Sequence, residues 1–300
     1  MALRNTPPRL AYVAWFAVCF IWGTTYLAIR IALETIPPTL LGGIRFVAAG
    51  LIVLAVVRLR GAELPPRRQW PRQALLGALL LGVGNGGVVW AELWIPSGIA
   101  AVGVASVPFW MSGAEAAFGG ERVTGRALVG LAIGFSGIVL LIWPSLFVAN
   151  VGAAGFGLGV SLVQLACVGW AVGSSLSKRT ASSAGSFAAS ALQQLFAGCM
   201  LVGVGTVLGE WHELTFTART IAAQLYLVVF GSLAAYSAYV YALNHLPIAT
   251  VSLYAYINPI IAVLLGALVA SEPFTPRIVA AAGLVLAGVA IVRSAPRGGS

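Results

Sequence analysis

Gly120-Glu121-Arg122-Val123-Thr124-Gly125-Arg126 recurs in altered form as Ser271-Glu272-Pro273-Phe274-Thr275-Pro276-Arg277, 151 positions further along the chain. The same shift superposes Trp90 on Tyr241, Pro96 on Pro247, Pro108 on Pro259 and Gly137 on Gly288. A shift of 148 pairs Cys19 with Cys167 and Trp22 with Trp170. The 300 residues therefore read as two copies, 1–147 and 148–300, whose three-residue difference falls in the loop after the second helix or its counterpart.

Around these short polar stretches the chain is apolar almost throughout. Hydrophobic residues make up 60% and charged residues 8%, against about 25% charged in a soluble domain, and the mean hydropathy is +0.96. A water-soluble fold cannot hide that much apolar surface. Because a helix needs about twenty mostly apolar residues to cross the hydrocarbon core, the charged and Pro-rich interruptions predict ten spans. These are Leu10–Ile29, Pro38–Val57, Gln73–Ala91, Ser97–Phe118, Ala127–Phe147, Gly155–Ser177, Ser186–Leu208, Ile221–Leu243, Pro247–Ala270 and Ile278–Val292. The runs lack the in–out alternation of a membrane barrel. Arg4 and Arg9 before Leu10 could open a signal peptide, but the apolar stretch is too long and no small-x-small cleavage site closes it.

The fold class expected is an all-α polytopic membrane protein of ten transmembrane helices, arranged as two five-helix repeats. Five is odd, so the second copy must enter the membrane from the opposite side. An N-in/C-in orientation puts most of the basic residues, from Arg4 and Arg58 to Lys178 and Arg297, on the cytoplasmic side, as the positive-inside rule requires. Glu34, Glu92, Glu210, Glu213 and Glu272 then face outward. The net charge of +9 is thus a topology signal in a multi-pass protein of the cell membrane, and no nucleic-acid partner is expected. Inverted repeats place a site at their interface near the midplane, with the halves rocking about it; duplication as a mere route to a larger bundle is the competing explanation.

Trp22-Gly23, Arg45-Phe46, Pro108 and Glu121 in the first copy, with Trp170, Pro259 and Glu272 in the second, resemble the EamA-type drug/metabolite transporter superfamily. The likeness covers nearly the whole chain and rests on order and spacing, since no single motif is specific. It implies two EamA repeats and export or exchange of metabolites, amino acids included, with YddG-like amino-acid exporters as the subgroup named. One departure stands out: the membrane-embedded helix-1 glutamate of the family's small multidrug relatives has no counterpart here, which counts against proton-coupled cation export.

The residues expected to bind substrate are Trp22, Tyr26, Asn85, Trp110, Trp170, Tyr236, Tyr254 and Asn258. Trp22 and Tyr26 are four apart and share a helix face, and Trp170 repeats the first position. Packing, or a place in the interfacial belt, is the alternative for such aromatics. Pro108 and Pro259 are read as mid-helix hinges that free a backbone carbonyl. Gly82-Val83-Gly84-Asn85-Gly86-Gly87 fits the dinucleotide pattern by letter alone; inside an apolar span it signals close helix approach or local unwinding around Asn85. Arg45 and Glu115 are the charges deepest in helices. Arg45 either meets a substrate carboxylate or bonds backbone carbonyls, and Glu115 is expected to snorkel or to pair with Arg122 or Arg126.

A membrane enzyme would need paired acid–base groups, yet the chain has no Asp and neither an HExxH nor a GxSxG motif; no catalytic residue is expected. Cys19, Cys167 and Cys199 lie apart in apolar runs, and His212 and His245 in loops, so neither a metal nor a cofactor is expected. The partners expected are a small-molecule substrate and the lipid bilayer, around a monomer. The function these readings favour is a secondary transporter of neutral or aromatic amino acids working by alternating access; other drug-like, nucleoside or sugar-type metabolites stay open. With no carboxylate placed at the midplane, facilitation or exchange is expected rather than proton pumping.

Overall fold

The computed structural model describes residues 8–95, 100, 103–120, 124–148, 153–179, 185–269 and 276–294. Pro96, Glu121, Arg122, Glu272 and the rest of the second heptapeptide through Thr275 lie outside the described residues. Within them, the regular structure is helical throughout. The helices are α1 (Pro8–Ala32), α2 (Pro38–Leu59), α3 (Trp70–Gly77, a π-helical Ala78–Asn85, then Gly86–Ala91), α4 (Val107–Ala117) and α5 (Gly125–Val148). They continue as α6 (Ala153–Arg179), α7 (Gly185–Val207), α8 (Ala218–Tyr226, a π-helical Leu227–Ala234, then Ala235–His245), α9 (Ile248–Ser252, then Tyr254–Val269) and α10 (Pro276–Ser294).

Six stretches are long and apolar enough to cross a bilayer: Arg9–Ala32, Pro38–Leu59, Arg67–Ala91, Gly155–Arg179, Gly185–Val207 and Ala218–His245. Gly125–Leu140, Ile248–Ile261 and Val279–Val292 are shorter apolar helices. In hydrocarbon each backbone amide must bond within its own segment, so helix is the form such sequences take. This is a multi-pass membrane protein.

Local chemistry sets the boundaries. Pro38 opens α2 at a position where the missing N–H would have had no intrahelical partner. Past its other end Gly61 adopts φ +63, and past α7 Gly209 adopts φ +77; the left-handed region admits glycine without steric cost. These two glycines are 148 apart, whereas the helical segments opening at Arg67 and Ala218 are 151 apart. The extra three residues of the second copy therefore lie in the connection between α7 and α8.

Packing repeats as the sequence does. α2 runs along α7, and α5 along α10, so each pairs with its own counterpart. α1 packs on α8 and α9, and its counterpart α6 packs on α3 and α4. Exchanging the halves leaves this pattern unchanged. Close approach at the paired helices depends on small residues, because lipid tails offer no hydrophobic drive for helix association. A Cβ on Gly288 would sit 2.5 Å from the Gly130 carbonyl oxygen and 2.5 Å from the Gly134 nitrogen.

The unbroken helices expected for Ser97–Phe118 and Pro247–Ala270 are interrupted. α4 begins anew at Val107 after a turn at 105–106, so Pro108 occupies its first turn instead of a helix interior. There the ring is accommodated and no ladder bond is lost. In α9 the break is at Leu253, and Pro259 does lie inside the following helix. Side chains bond the backbone beside both breaks: the Val251 carbonyl accepts from the Trp15 indole at 3.2 Å, and the Gly103 carbonyl accepts from the Ser106 backbone N–H at 3.0 Å and its hydroxyl at 2.7 Å. Trp15, which a position near a helix end would assign to the interfacial belt, is thereby a buried residue.

Candidate functional site

Between the breaks of α4 and α9 lies a cavity of about 70 Å³. α1 contributes Trp22, Thr25, Tyr26 and Ile29; α2 gives Arg45; α3 gives Gly84, Asn85 and Val88. Val104 and Val107 flank the α4 break, α6 adds Ala166, Cys167 and Trp170, and α9 adds Tyr254 and Asn258. Both halves of the chain thus line one space.

One wall is aromatic. The Trp22 ring lies 5.3 Å from that of Trp170, 5.2 Å from Tyr239 and 5.1 Å from Tyr254, with edge-to-face geometry to Trp170 and Tyr254. Trp170 and Tyr239 are 5.0 Å apart. Such tilted and edge contacts suit the ring quadrupole and make the wall rigid. Two bonds hold it in place. The Trp22 indole N–H donates to the carbonyl of Gly231 at 3.1 Å, within the π-helical part of α8, and the Tyr239 and Ser174 hydroxyls share a bond of 2.6 Å. The π-helical stretch of α3 carries Asn85 at its end; such insertions concentrate at functional sites. Its glycines also fulfil their expected role, since a Cβ on Gly84 would meet the Trp170 ring and one on Gly87 the Ala166 methyl.

The polar groups are few and fixed. Asn258 donates through its amide nitrogen to the carbonyls of Cys19 at 2.8 Å and Tyr254 at 2.9 Å. Arg45 is 2% exposed. Its Nε donates to the Ser232 hydroxyl at 2.7 Å, its guanidinium lies 4.9 Å from the Phe46 ring centre, and its Nη1 has no partner. The Asn85 side-chain oxygen is also buried without a donor. Among the described residues no carboxylate lies within ion-pairing distance of Arg45. A cationic donor and a neutral acceptor thus both border the cavity with bonding capacity unspent.

Residues 9–143 and again residues 157–294 match the EamA-like transporter family. The chain belongs to this family. As an EamA-like transporter it moves a solute across a membrane, and its two matched segments are EamA repeats. It is 39% identical over 284 residues to the Escherichia coli K12 protein named uncharacterized inner membrane transporter YedA, covering 93% of this chain and 89% of that one. It is 30% identical over 288 residues to protein PecM of Dickeya dadantii, covering 96% and 91%. A solved crystal structure at 20% identity superposes with a TM-score of 0.79 over 94% of this EamA-like chain and 95% of the other, which speaks for the fold alone.

The cavity brings together Trp22, Tyr26, Asn85, Trp170, Tyr254 and Asn258 of the residues expected to bind, and adds Arg45. Trp110 and Tyr236 are placed elsewhere. Trp110 is 42% exposed, its indole donating to Gln164 at 2.9 Å. Tyr236 stands behind the aromatic wall, stacked on Tyr239, with its hydroxyl donating to Gln193 at 2.7 Å; Gln193 in turn donates to Gln73 at 2.8 Å. Glu115 pairs at 3.0 Å with Arg179 of α6 rather than with Arg126 nearby in sequence, so the ion pair bridges the two halves. Tyr239, which by sequence shares a polar-aromatic face of α8 with Tyr236, packs behind the lining rings of Trp22, Trp170 and Tyr254. Glu92 and Glu210, assigned from sequence to outer loops, are both buried. Glu210 caps α2, accepting from the backbone N–H groups of Thr39 at 3.3 Å and Leu40 at 2.8 Å.

Proposed function

We propose that this chain is a secondary transporter of neutral amino acids, aromatic ones foremost, working in the plasma membrane by alternating access. Its ten spans would form two inverted five-helix repeats with both termini in the cytoplasm, as a monomer. The observation carrying the substrate class is the pair of unspent groups beside the aromatic wall. The free Nη1 of Arg45 suits a carboxylate, the free oxygen of Asn85 suits an ammonium, and the rings suit an apolar or aromatic side chain. A zwitterion satisfies both polar groups at once and brings an anion to a buried guanidinium that otherwise lacks one.

Ligand pockets generally hold about 300–1,000 Å³, so the cavity of about 70 Å³ corresponds to a closed-down state that must open to load. The exchange-symmetric packing supports such a motion: α1 could part from α8 and α9 at one face while α6 holds α3 and α4 at the other. The inner-membrane name of the Escherichia coli relative supports the location.

The test is counterflow in liposomes holding purified protein, with a panel of amino acids, nucleosides and sugars. Accelerated exchange of aromatic amino acids, lost in Trp22→Ala, is the expected result. Exchange of nucleosides or sugars with none of any amino acid would overturn the substrate class.

A further inference from the structure

Glu92 lies one residue past the Arg67–Ala91 span, and its backbone N–H still bonds the Val88 carbonyl at 3.1 Å. Its side chain is 0% exposed, and neither carboxyl oxygen has a hydrogen-bond partner. The other two buried glutamates differ: Glu210 receives two backbone N–H groups and Glu115 receives Arg179. Among the described residues only the carboxyl of Glu92 is buried with no donor. An ionised carboxylate in that position would forfeit its hydration with nothing in exchange, at several kcal/mol, whereas the neutral acid bears far less of that penalty.

The groups around it are few. From α1 come Arg30, whose guanidinium donates to the Glu92 backbone carbonyl at 2.8 Å without ion-pairing to its carboxyl, and Tyr26, four residues before Arg30 on the same helix face. α2 presents Thr39, bonded to the Trp90 indole at 3.0 Å, with Arg45 about 9 Å deeper at 1.5 Å per residue. α6 packs to either side of Glu92, Leu162 against Gly87 and Gly159 against Trp94 and Ile95, with Cys167 deeper. Residues 96–102 contain no titratable side chain. Burial therefore pushes the Glu92 carboxyl up, with Arg30 opposing it incompletely. The sign follows: a raised value favours this conformation at low pH and weakens it as pH rises through the shifted value.

We propose that Glu92 is a proton-binding carboxyl of the transport cycle, holding its proton in the narrowed conformation and releasing it to water when the α1–α3 end opens. On opening, the O–H bond breaks and the proton leaves to solvent. The carboxylate left behind is then hydrated and can pair with Arg30, which is already anchored on the same residue. Tyr26 joins this site to the cavity, since it lines the cavity and lies four residues before Arg30 on the same face of α1. The proposal rests on the alternating-access reading above and revises the expectation of simple facilitation or exchange.

The test has two arms. Infrared difference spectra of wild type against Glu92→Gln in liposomes, over a pH series, read the protonation directly. At neutral pH the wild type should show a protonated-carboxyl C=O band that shifts in D2O, fades as pH rises and is lost in the variant. Absence of that band overturns the proposal. The second arm compares phenylalanine uptake driven by a pH gradient with counterflow at equal pH. Gradient-driven accumulation at least tenfold greater in wild type than in Glu92→Gln, with counterflow retained in both, is the expected result. Counterflow in wild type with no response to the gradient overturns the proposal. Should phenylalanine not move at all, the amino-acid reading fails, and the infrared band alone decides whether Glu92 binds the proton.

Discussion

Arg45→Gln separates a substrate-binding guanidinium from a structural one. Glutamine is the residue at the repeat-related position, Gln193, so α2 should accept it, and its amide can still hydrogen-bond near Ser232. What disappears is a cation that is 2% exposed and has Nη1 free. At that burial solvent screening is slight, and removing one member of a buried charge pair typically costs about 3–5 kcal/mol. At 1.4 kcal/mol per tenfold, phenylalanine should bind at least about a hundredfold more weakly to the variant. Calorimetric titration with phenylalanine and with phenylalaninamide, which lacks the carboxylate, closes a double-mutant cycle. Wild type should discriminate strongly between the two ligands, and Arg45→Gln hardly at all. Equal weakening of both ligands by the substitution would show that Arg45 merely holds α2 to α8 through Ser232, and the assignment of a carboxylate to its Nη1 would be refuted.

Gly288→Ala should lower the thermal midpoint, by about 1–3 kcal/mol of overpacking where α5 crosses α10, while Gly283→Ala on the same helix, which would meet nothing within 4 Å, should leave it unchanged; fluorescence-detected melting reads both. Glu210→Ala removes the acceptor of two buried backbone N–H groups at the start of α2 and should cost about 1–3 kcal/mol in the same melt, with Glu210→Gln retaining part of it. Tyr236→Phe leaves the Gln193 oxygen without its donor, so the midpoint should fall while phenylalanine affinity stays within about twofold of wild type; a large loss of affinity would put Tyr236 in the site itself.

Helix and membrane were legible because they follow from composition and period. An apolar run of twenty residues has one way to satisfy its amides in hydrocarbon, and the repeat showed through pairs such as Trp22 with Trp170 and Pro108 with Pro259. Gly84 and Gly87 announced close approach, since only glycine allows it. Depth and helix face also singled out Trp22, Tyr26, Trp170 and Tyr254, which line one cavity.

Depth and face do not fix the rotation of a helix against neighbours a hundred residues away, and that rotation decided the rest. It turned Trp110 outward and set Tyr236 behind Tyr239. It brought Arg179 to Glu115 across 64 positions, a partner no local spacing could suggest. The breaks at 105–106 and Leu253 fall before the two prolines rather than on them, and Trp15 and Ser106 bond carbonyls beside them. Glu92 marks the difference most plainly. By sequence it is a charge at a helix end, which water would solvate. Only the tertiary packing that buries it removes that water and leaves both carboxyl oxygens without a donor.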